Sequence, residues 1–313
     1  MDFKNELIQK MKDKELSESS IKNYIRNLEI LNDDNPLKNL NFLKDTDNII
    51  NHLDKKKPNT QRSYYISIVS ALSVENNKKN KKIYDFYYNK MMDMNKTLKA
   101  QESKNEKTET QSKNWIDRKV IDDKLDELVK ETKTYKKDLS EKQYNEVLKM
   151  IVLSLYALQQ PRRNADYQYM VIVKDKVTDD KINFLVYDKK EFWFRKYKTA
   201  KNELKEKTEL IIPIEDKLYD NINLYLKHHP LIKGKKISNK AIPFLVNYIG
   251  EPLLSVNAIT YIMNRIFKKN IGSSMMRHLY TSHKYGTVLE EMKDDAAKMS
   301  HSIEQQKDYI KKD

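Results

Sequence analysis

The residues best suited to chemistry stand near the end of the sequence. Arg277 and His278 occur together, and His301 and Tyr309 follow. A guanidinium can hold two phosphate oxygens at once, and a phenol can act as a nucleophile when it is positioned among cations. This combination indicates chemistry on a phosphate group, with Tyr309 as the attacking residue.

Two adjacent arginines follow the most apolar segment of the chain. Residues 147–158 predict a buried helix, Pro161 ends it, and Arg162 and Arg163 come next. Charges at the end of a buried helix must be answered by an acid, a phosphate or solvent. Asp166 is the obvious local acid, and an ordinary exposed Arg–Asp pair is the alternative interpretation.

A basic segment separates two predicted strands. Alternating apolar residues predict strands over 183–187, 192–195 and 210–214. The segment after the second strand contains three lysines, Lys196, Lys198 and Lys201. A lysine on such an arm can enter a groove of DNA, whereas the alternative is a solvated turn.

Composition favours a polyanionic partner. The 313 residues include 60 Lys+Arg against 46 Asp+Glu, which gives a formal net charge of +14. Such an excess favours nucleic acid or an anionic membrane face. Coding by an AT-rich genome, which enriches lysine generally, is the other explanation. The absence of cysteine excludes disulfides and thiolate metal sites.

No targeting or membrane segment is expected. The N-terminus lacks the long apolar core of a signal peptide, and the apolar run at 147–158 is too short to span a bilayer. The sequence therefore predicts a soluble intracellular protein. With only four glycines and seven prolines, long helices should dominate.

The expected fold class is mainly α with a small β-sheet, an α+β arrangement in two domains. Residues 1–95 predict a helical bundle, 96–114 an extended polar linker, and 115–313 a mixed domain. Basic residues at helix starts and turns are the candidate DNA contacts: Lys22, Arg26, Arg62, Lys196, Lys201, Arg265, Lys268 and His278. The alternative for the N-terminal bundle is a plain helical interaction module.

The order of the basic residues and of the tyrosine resembles that of the tyrosine recombinases, the phage-integrase family. The motifs that carry the resemblance are Arg163-Asn164-Ala165-Asp166, Tyr197-Lys198-Thr199, Met276-Arg277-His278, Ser300-His301-Ser302 and Tyr309. The resemblance covers nearly the whole chain. The wording at 160–163 and 197–201 is most similar to integrases of large eukaryotic DNA viruses and Maverick-like elements, which would act in the host nucleus or cytoplasm.

Two positions depart from the family pattern. Ser274 stands three residues before Arg277, where the family usually has His or Lys, and serine cannot shuttle protons near neutral pH. The interval from His301 to Tyr309 is one residue shorter than usual.

The resemblance implies a site-specific recombinase or integrase acting through a 3′-phosphotyrosyl intermediate. Tyr309 would attack, Arg163 and Arg277 would hold phosphate oxygens, and Lys198 would protonate the leaving 5′ oxygen. His301 would hydrogen-bond the phosphate, and Asp166 would orient an arginine. It implies no cofactor or metal, and its partners would be double-stranded DNA and a homo-oligomer, a tetrameric synapse on DNA.

Three alternatives remain open. A type IB topoisomerase or a telomere resolvase would use the same chemistry with a different outcome. A DNA-binding protein with a degenerate catalytic domain would explain Ser274 and the short interval.

Overall fold

Helices form most of the chain, and many begin where the sequence provides a capping side chain. The computed structural model describes residues 2–75, 80–136, 138–177, 179, 181–200 and 209–311. The chain divides into two compact units, Met1–Lys107 and Thr108–Asp313. Among the described residues, no helix is long and apolar enough to cross a bilayer.

The first unit is helical throughout the part that the structure describes. Asp2, Ser17 and Asp45 each cap a helix by accepting a hydrogen bond from the backbone N–H three residues further on. The buried Tyr87 hydroxyl donates to the carbonyl of Leu43 at 2.8 Å and so ties the last helix to a 3₁₀ turn at Asn41–Lys44. The helices are α1 (Phe3–Asp13), α2 (Glu18–Leu31), α3 (Thr46–Asp54), α4 (Pro58–Glu75) and α5 (Lys81–Glu102).

The prediction of an extended linker over 96–114 was wrong for much of that segment. Helix α5 continues to Glu102, with Leu98 buried, and a capping box at Thr108 starts α6 (Glu109–Asn114). Lys, Glu, Gln and Ala are good helix formers, so a polar segment next to an existing helix extends it. The side chain of Asn114 is buried and accepts a hydrogen bond from the backbone N–H of Asn270 at 2.8 Å.

The second unit surrounds one buried helix. Ser140 and Gln143 form the capping box that begins this helix, α8, and its apolar residues contact α7, α10, α11 and α12. The helices of this unit that follow α6 are α7 (Arg118–Lys133), α8 (Glu141–Ala157), α9 (Asn164–Gln168), α10 (Asp216–His228), α11 (Ala258–Phe267), α12 (Ser273–Lys298) and α13 (Ile303–Tyr309).

A five-stranded mixed sheet lies beside these helices, in the order β4-β3-β2-β1-β5. The strands are β1 (Val171–Val173), β2 (Phe184–Val186), β3 (Glu191–Phe194), β4 (Leu210–Pro213) and β5 (Ile242–Pro243). β1 and β2 are parallel, and the other pairs are antiparallel. The expected α+β class, mainly α with a small sheet, is confirmed.

The ends of the strands, rather than the outer strands, form two chemically different edges of the sheet. We call the edge where β1 and β2 begin and β3 ends the arginine edge, because Asn183 and Arg195 meet there. We call the edge where β1 and β2 end the lysine edge, because Lys174 and Asp188 meet there.

Candidate active site

Of the two adjacent arginines, Arg162 is the one that pairs with a buried carboxylate. Its Nε donates to Asp166 Oδ2 at 2.9 Å, and only 3% of the Asp166 side chain is exposed. The guanidinium also lies 3.9 Å from the centroid of the Phe194 ring and 5.0 Å from that of Tyr197. Burial raises the pKa of the Asp166 carboxyl, and Arg162 acts against that rise most strongly, followed by Arg163. This pair therefore keeps a buried carboxylate compensated.

Arg163 is held by its backbone, which leaves its side chain available. It is the residue before α9, and its carbonyl accepts from the N–H of Asp166 at 3.0 Å. Its own backbone N–H donates to the Asp166 carboxylate. Within the described ranges, the half-buried guanidinium has no hydrogen-bond or ion-pair partner. Asp166 therefore orients Arg163 through the main chain and Arg162 through the guanidinium.

A buried tyrosine connects Arg163 with Arg277. The Tyr156 hydroxyl donates to Asn164 Oδ1 at 2.7 Å, directly after Arg163, and Asn164 Nδ2 donates to Thr260 Oγ1 at 2.9 Å. Burial raises the pKa of the Tyr156 phenol well above its ordinary value, and the charge of Arg277 opposes the rise. Arg277 thus lies within electrostatic range of Tyr156. The segment of Arg163 and the charge of Arg277, 114 residues apart in the sequence, therefore both act on one buried phenol.

Arg277 is the fifth residue of α12, and the neighbouring Met276 enters the core. Its side chain is half-buried, and its Nε donates to the carbonyl of Ser273 at 3.2 Å. Ser274 is exposed, in keeping with a position on the outer side of the same turn. His278, a candidate DNA contact, is exposed, because the next step of the helix carries its side chain into solvent.

Asn183 fixes the loop that carries Lys198. Its Nδ2 donates to the carbonyls of Asp166 and Lys196 at 3.0 and 2.9 Å. Its Oδ1 accepts from the N–H groups of Arg195 and Lys196 at 2.9 and 2.8 Å. This buried amide joins the arginine turn to the end of β3, so it defines the arginine edge. Sequence reasoning missed this role, and the available signal was an asparagine directly before a fully apolar strand.

Lys198 lies two residues after Lys196, the last backbone position that the Asn183 side chain holds. Its side chain is exposed and has no ion-pair partner in the part of the chain that the structure describes. The neighbouring Tyr197 ring lies against Arg162, so the loop approaches the arginine turn at two points. Lys196 is exposed as well, and Lys201 lies outside the described residues.

His301 and Tyr309 contact each other instead of the arginines. Their ring centroids are 5.5 Å apart in an edge-to-face arrangement, and His301 Nε2 lies 3.1 Å from Gln306 Oε1. Tyr309 ends α13, and 73% of it is exposed. Among the described residues, no hydrogen bond joins its hydroxyl to Arg163, Arg277 or Lys198.

The course of α12 explains this separation. Of its 26 residues, the buried ones are Met275, Met276, Leu279 and Ala296, so the helix leaves the core soon after Arg277. α13 then packs on the distal part of α12. The start of α12 therefore places Arg277 near the core, while its far end leads to His301 and Tyr309, which lie beyond the helix.

The remaining candidate DNA contacts are exposed, but only some of them already bind a neighbouring side chain. Lys22 on α2 is unpaired within the described ranges, while Arg26 binds Asp34 at 2.7 Å. The Nε of Arg62 donates to the side chain of Asn95. Arg265 on α11 and Lys268 just after it both face solvent. Surface arginines already paired with an acid are weaker candidates for phosphate contacts.

The candidate site therefore combines three cations without an ion-pair partner among the described residues, Arg163, Lys198 and Arg277, and the Asn183 clamp joins the arginine turn to the start of the lysine loop. Comparisons of the chain with models of protein families, with curated proteins and with solved structures found no match. Inference about function accordingly rests on the chemistry of these side chains.

Proposed function

We propose that this chain is a DNA strand transferase of the tyrosine-recombinase type, which breaks and rejoins DNA through a 3′-phosphotyrosyl intermediate. The observation that carries the proposal is that Asn164, the residue after Arg163, and the charge of Arg277 both act on the buried Tyr156, while neither guanidinium forms an ion pair among the described residues. Two guanidinium groups without a neutralising acid, both linked to the surroundings of Tyr156, suit an anion that gathers further charge during reaction.

The chemistry assigns one role to each side chain. The Tyr309 oxygen bonds to phosphorus while the bond from phosphorus to the 5′ oxygen breaks. The phenol proton passes to water, and the Lys198 ammonium supplies a proton to the leaving 5′ oxygen. Arg163 and Arg277 hold the non-bridging oxygens. A 5′ hydroxyl from a second strand reverses these steps and rejoins DNA.

This chemistry requires movement of the terminal helix. The Tyr309 hydroxyl must reach the phosphate that the two arginines hold, yet α13 packs on the distal part of α12. The connection between the two helices includes Ser300, whose φ of 56° is left-handed. Rotation about this connection would redirect α13 without disturbing the buried first turn of α12.

The proposed partners are double-stranded DNA and further copies of the chain. Joining two duplexes requires several active sites, so a tetramer on DNA is the assembly proposed for a recombinase. The proposed setting is a virus or mobile element whose DNA is integrated into another molecule. Relaxation of supercoils or closure of hairpin ends, instead of joining of two duplexes, would identify a topoisomerase or a telomere resolvase.

A second candidate function is DNA binding without catalysis. The specific observation in its favour is the exposed Tyr309, which contacts His301 and none of the three cations within the described ranges. Ser274, in place of a group able to transfer protons, agrees with it. The two candidates differ in whether a covalent adduct forms.

Adduct trapping tests the proposal. A library of nicked duplexes loses a short fragment after attack, so the covalent complex accumulates. The wild-type chain should give an adduct that survives denaturation, Tyr309→Phe should give none, and Tyr285→Phe, at another exposed tyrosine on α12, should match wild type. An adduct with Tyr309→Phe overturns the assignment of the nucleophile, and none with wild type supports DNA binding alone.

A further inference from the structure

A second basic surface lies at the lysine edge, away from the arginines. Residues 221–250 contain no aspartate or glutamate, although acids are frequent elsewhere in the chain. The lysines of this segment are Lys227, Lys233, Lys235, Lys236 and Lys240. A basic segment without acids retains its charge, because no local carboxylate neutralises it.

The fold gathers part of this segment around a cavity of about 450 Å³. Lys227 contributes from the end of α10, Lys235 and Lys236 from the following loop, and Lys174 from the end of β1. Tyr187, at the end of β2, adds an aromatic wall, and its hydroxyl donates to Asn223 Oδ1 at 2.8 Å. Lysines from three separate elements therefore border one cavity.

Most of this charge is not neutralised. Lys227, Lys235 and Lys236 are exposed and have no ion-pair partner in the described part of the chain. The one acid among the described residues that line the cavity, Asp188, lies 3.7 Å from Lys174 Nζ, so the other three lysines of the lining keep their charge. The cavity consequently presents a net positive potential to solvent.

The loop that carries the lysines is anchored at both ends. At its start, the buried His229 ring accepts from the N–H of Leu231 at 3.2 Å and lies 3.1 Å from the carbonyl of Pro243. At its end, Asn239 Oδ1 accepts from the N–H groups of Asp175 and Lys176, both at 3.0 Å. Anchoring holds the lysines near the cavity and lowers the entropy lost when they bind a ligand.

A tight turn lies between these anchors. Lys233 and Gly234 both adopt left-handed backbone conformations, with φ of 48° and 70°. The Gly234 position opens to space, since an added Cβ would meet no atom within 4 Å. The turn directs the chain back along the cavity, so Lys235 and Lys236 border it together.

We propose that this lysine surface binds the phosphodiester backbone of a nucleic-acid duplex, independently of the arginine site. A polymer presents phosphates at short, regular intervals and can engage several lysines at once, whereas a single nucleotide engages fewer. Lysines act as point charges without the planar fork of arginine, so the surface holds backbone and does not read sequence. The inference goes beyond strand transfer and does not depend on it.

The salt dependence of duplex binding tests the proposal. Each lysine that neutralises a phosphate contributes about 0.9 to the slope of log binding constant against log salt. The variant Lys227→Gln/Lys235→Gln/Lys236→Gln should lower that slope by roughly 2 to 3 on a random-sequence duplex. The matched control, Lys130→Gln/Lys133→Gln/Lys136→Gln, removes the same charge from exposed lysines of the same unit and should leave the slope unchanged.

A second measurement covers the possibility that the triple variant misfolds. A bound duplex should protect Lys227, Lys235 and Lys236 of the wild-type chain from acetylation and leave Lys130 reactive. Equal slopes for both triple variants, or equal acetylation with and without duplex, overturn the proposal. Loss of nucleoside-triphosphate binding by the first variant, with an unchanged duplex slope, also overturns it and identifies a mononucleotide site.

The outcome can be separated from that of the proposed strand transfer. Binding is measured with Tyr309→Phe, which cannot form the adduct, and with Arg163→Ala. A slope change that persists in these backgrounds supports the lysine surface even if no adduct is ever trapped. Conversely, an adduct that forms without any slope difference between the triple variants supports strand transfer alone.

Discussion

Arg162 and Asp166 form a buried ion pair of 2.9 Å, and this pairing leaves the guanidinium of Arg163 without a partner among the described residues. Two adjacent arginines thus have different roles. Arg162 is the hydrogen-bonded partner of a carboxylate that the fold has buried, whereas the guanidinium of Arg163 adds only its charge there and remains available to an external anion. The difference is testable, because the two substitutions should separate stability from activity.

Arg162→Ala should lower the free energy of unfolding of the second unit by about 3 kcal/mol, since it leaves Asp166 buried without its cation. Arg163→Ala should change it by less than about 0.5 kcal/mol but should slow DNA cleavage by two or more orders of magnitude. Tryptophan fluorescence during denaturant unfolding reports on this unit, because Trp115 and Trp193 are the only tryptophans. Equal losses of stability in the two variants contradict this division of roles.

Lys198→Ala should slow cleavage of ordinary DNA because the leaving 5′ oxygen loses its proton donor. A duplex with sulfur in place of that bridging oxygen has a leaving group that needs no proton, so it should restore the rate. The corresponding loss in Arg277→Ala, about 100-fold or more, should persist with the sulfur substrate, because Arg277 stabilises the non-bridging oxygens. Gel-based single-turnover cleavage measures both rates. Equal rescue of the two variants argues against separate roles.

Asn183→Ala should release the Lys198 loop from the arginine turn. Four hydrogen bonds disappear, and buried backbone groups of Asp166, Arg195 and Lys196 lose their partner, which should destabilise the unit by about 3 kcal/mol. Hydrogen exchange at the amides of Arg195 and Lys196 should accelerate. Because Asn183 acts through Lys198, its cleavage defect should be rescued by the same sulfur substrate, whereas a purely structural defect would not be.

His229 should make the second unit less stable in mild acid. Burial lowers the pKa of its ring from 6.5 to about 4, against the effect of hydrogen bonds to the backbone at Pro243 and Phe244. Between those values the unfolded chain binds more protons than the folded one, so the free energy of unfolding falls as pH drops from 6.5 to 4. Once the pH is below both pKa values, the free energy of unfolding is lower by roughly 3 kcal/mol.

The comparison of His229→Gln with wild type isolates that contribution. The variant should lose less stability between pH 6.5 and pH 4, whereas His278→Gln, at an exposed ring, should follow the wild-type curve. Denaturant unfolding at several pH values gives the curves. Parallel curves for wild type and His229→Gln contradict the assignment.

Local features of the fold were predictable from the sequence. Ser17 and Ser140 each cap a helix, as a serine directly before a helical apolar period predicts, because the serine oxygen and the backbone N–H that it accepts from lie only three residues apart. Alternation of apolar residues predicted β2, β3 and β4. β1 and β5 were missed, since strands of three and two residues are too short to show a period.

The candidate site was predictable only as a set of residue types. Arg163, Lys198 and Arg277 were identified as available cations, but the choice of Arg162 as the partner of Asp166 depends on tertiary packing against Phe194. The Asn183 side chain joins backbone groups from two other segments, at Asp166 and at Arg195 and Lys196, and no local pattern encodes such contacts. The exposed position of Tyr309 follows from where α12 leaves the core, which is likewise non-local.

Mapping the residue that bears the DNA tests the central proposal most directly. The wild-type chain is incubated with the nicked duplex library, the adduct is isolated under denaturing conditions and digested, and the peptide carrying the nucleotide is sequenced by mass spectrometry. The account predicts a 3′-phosphotyrosyl link on Tyr309. A link on any other residue, or a wild-type chain that binds the duplex without forming an adduct, would contradict it.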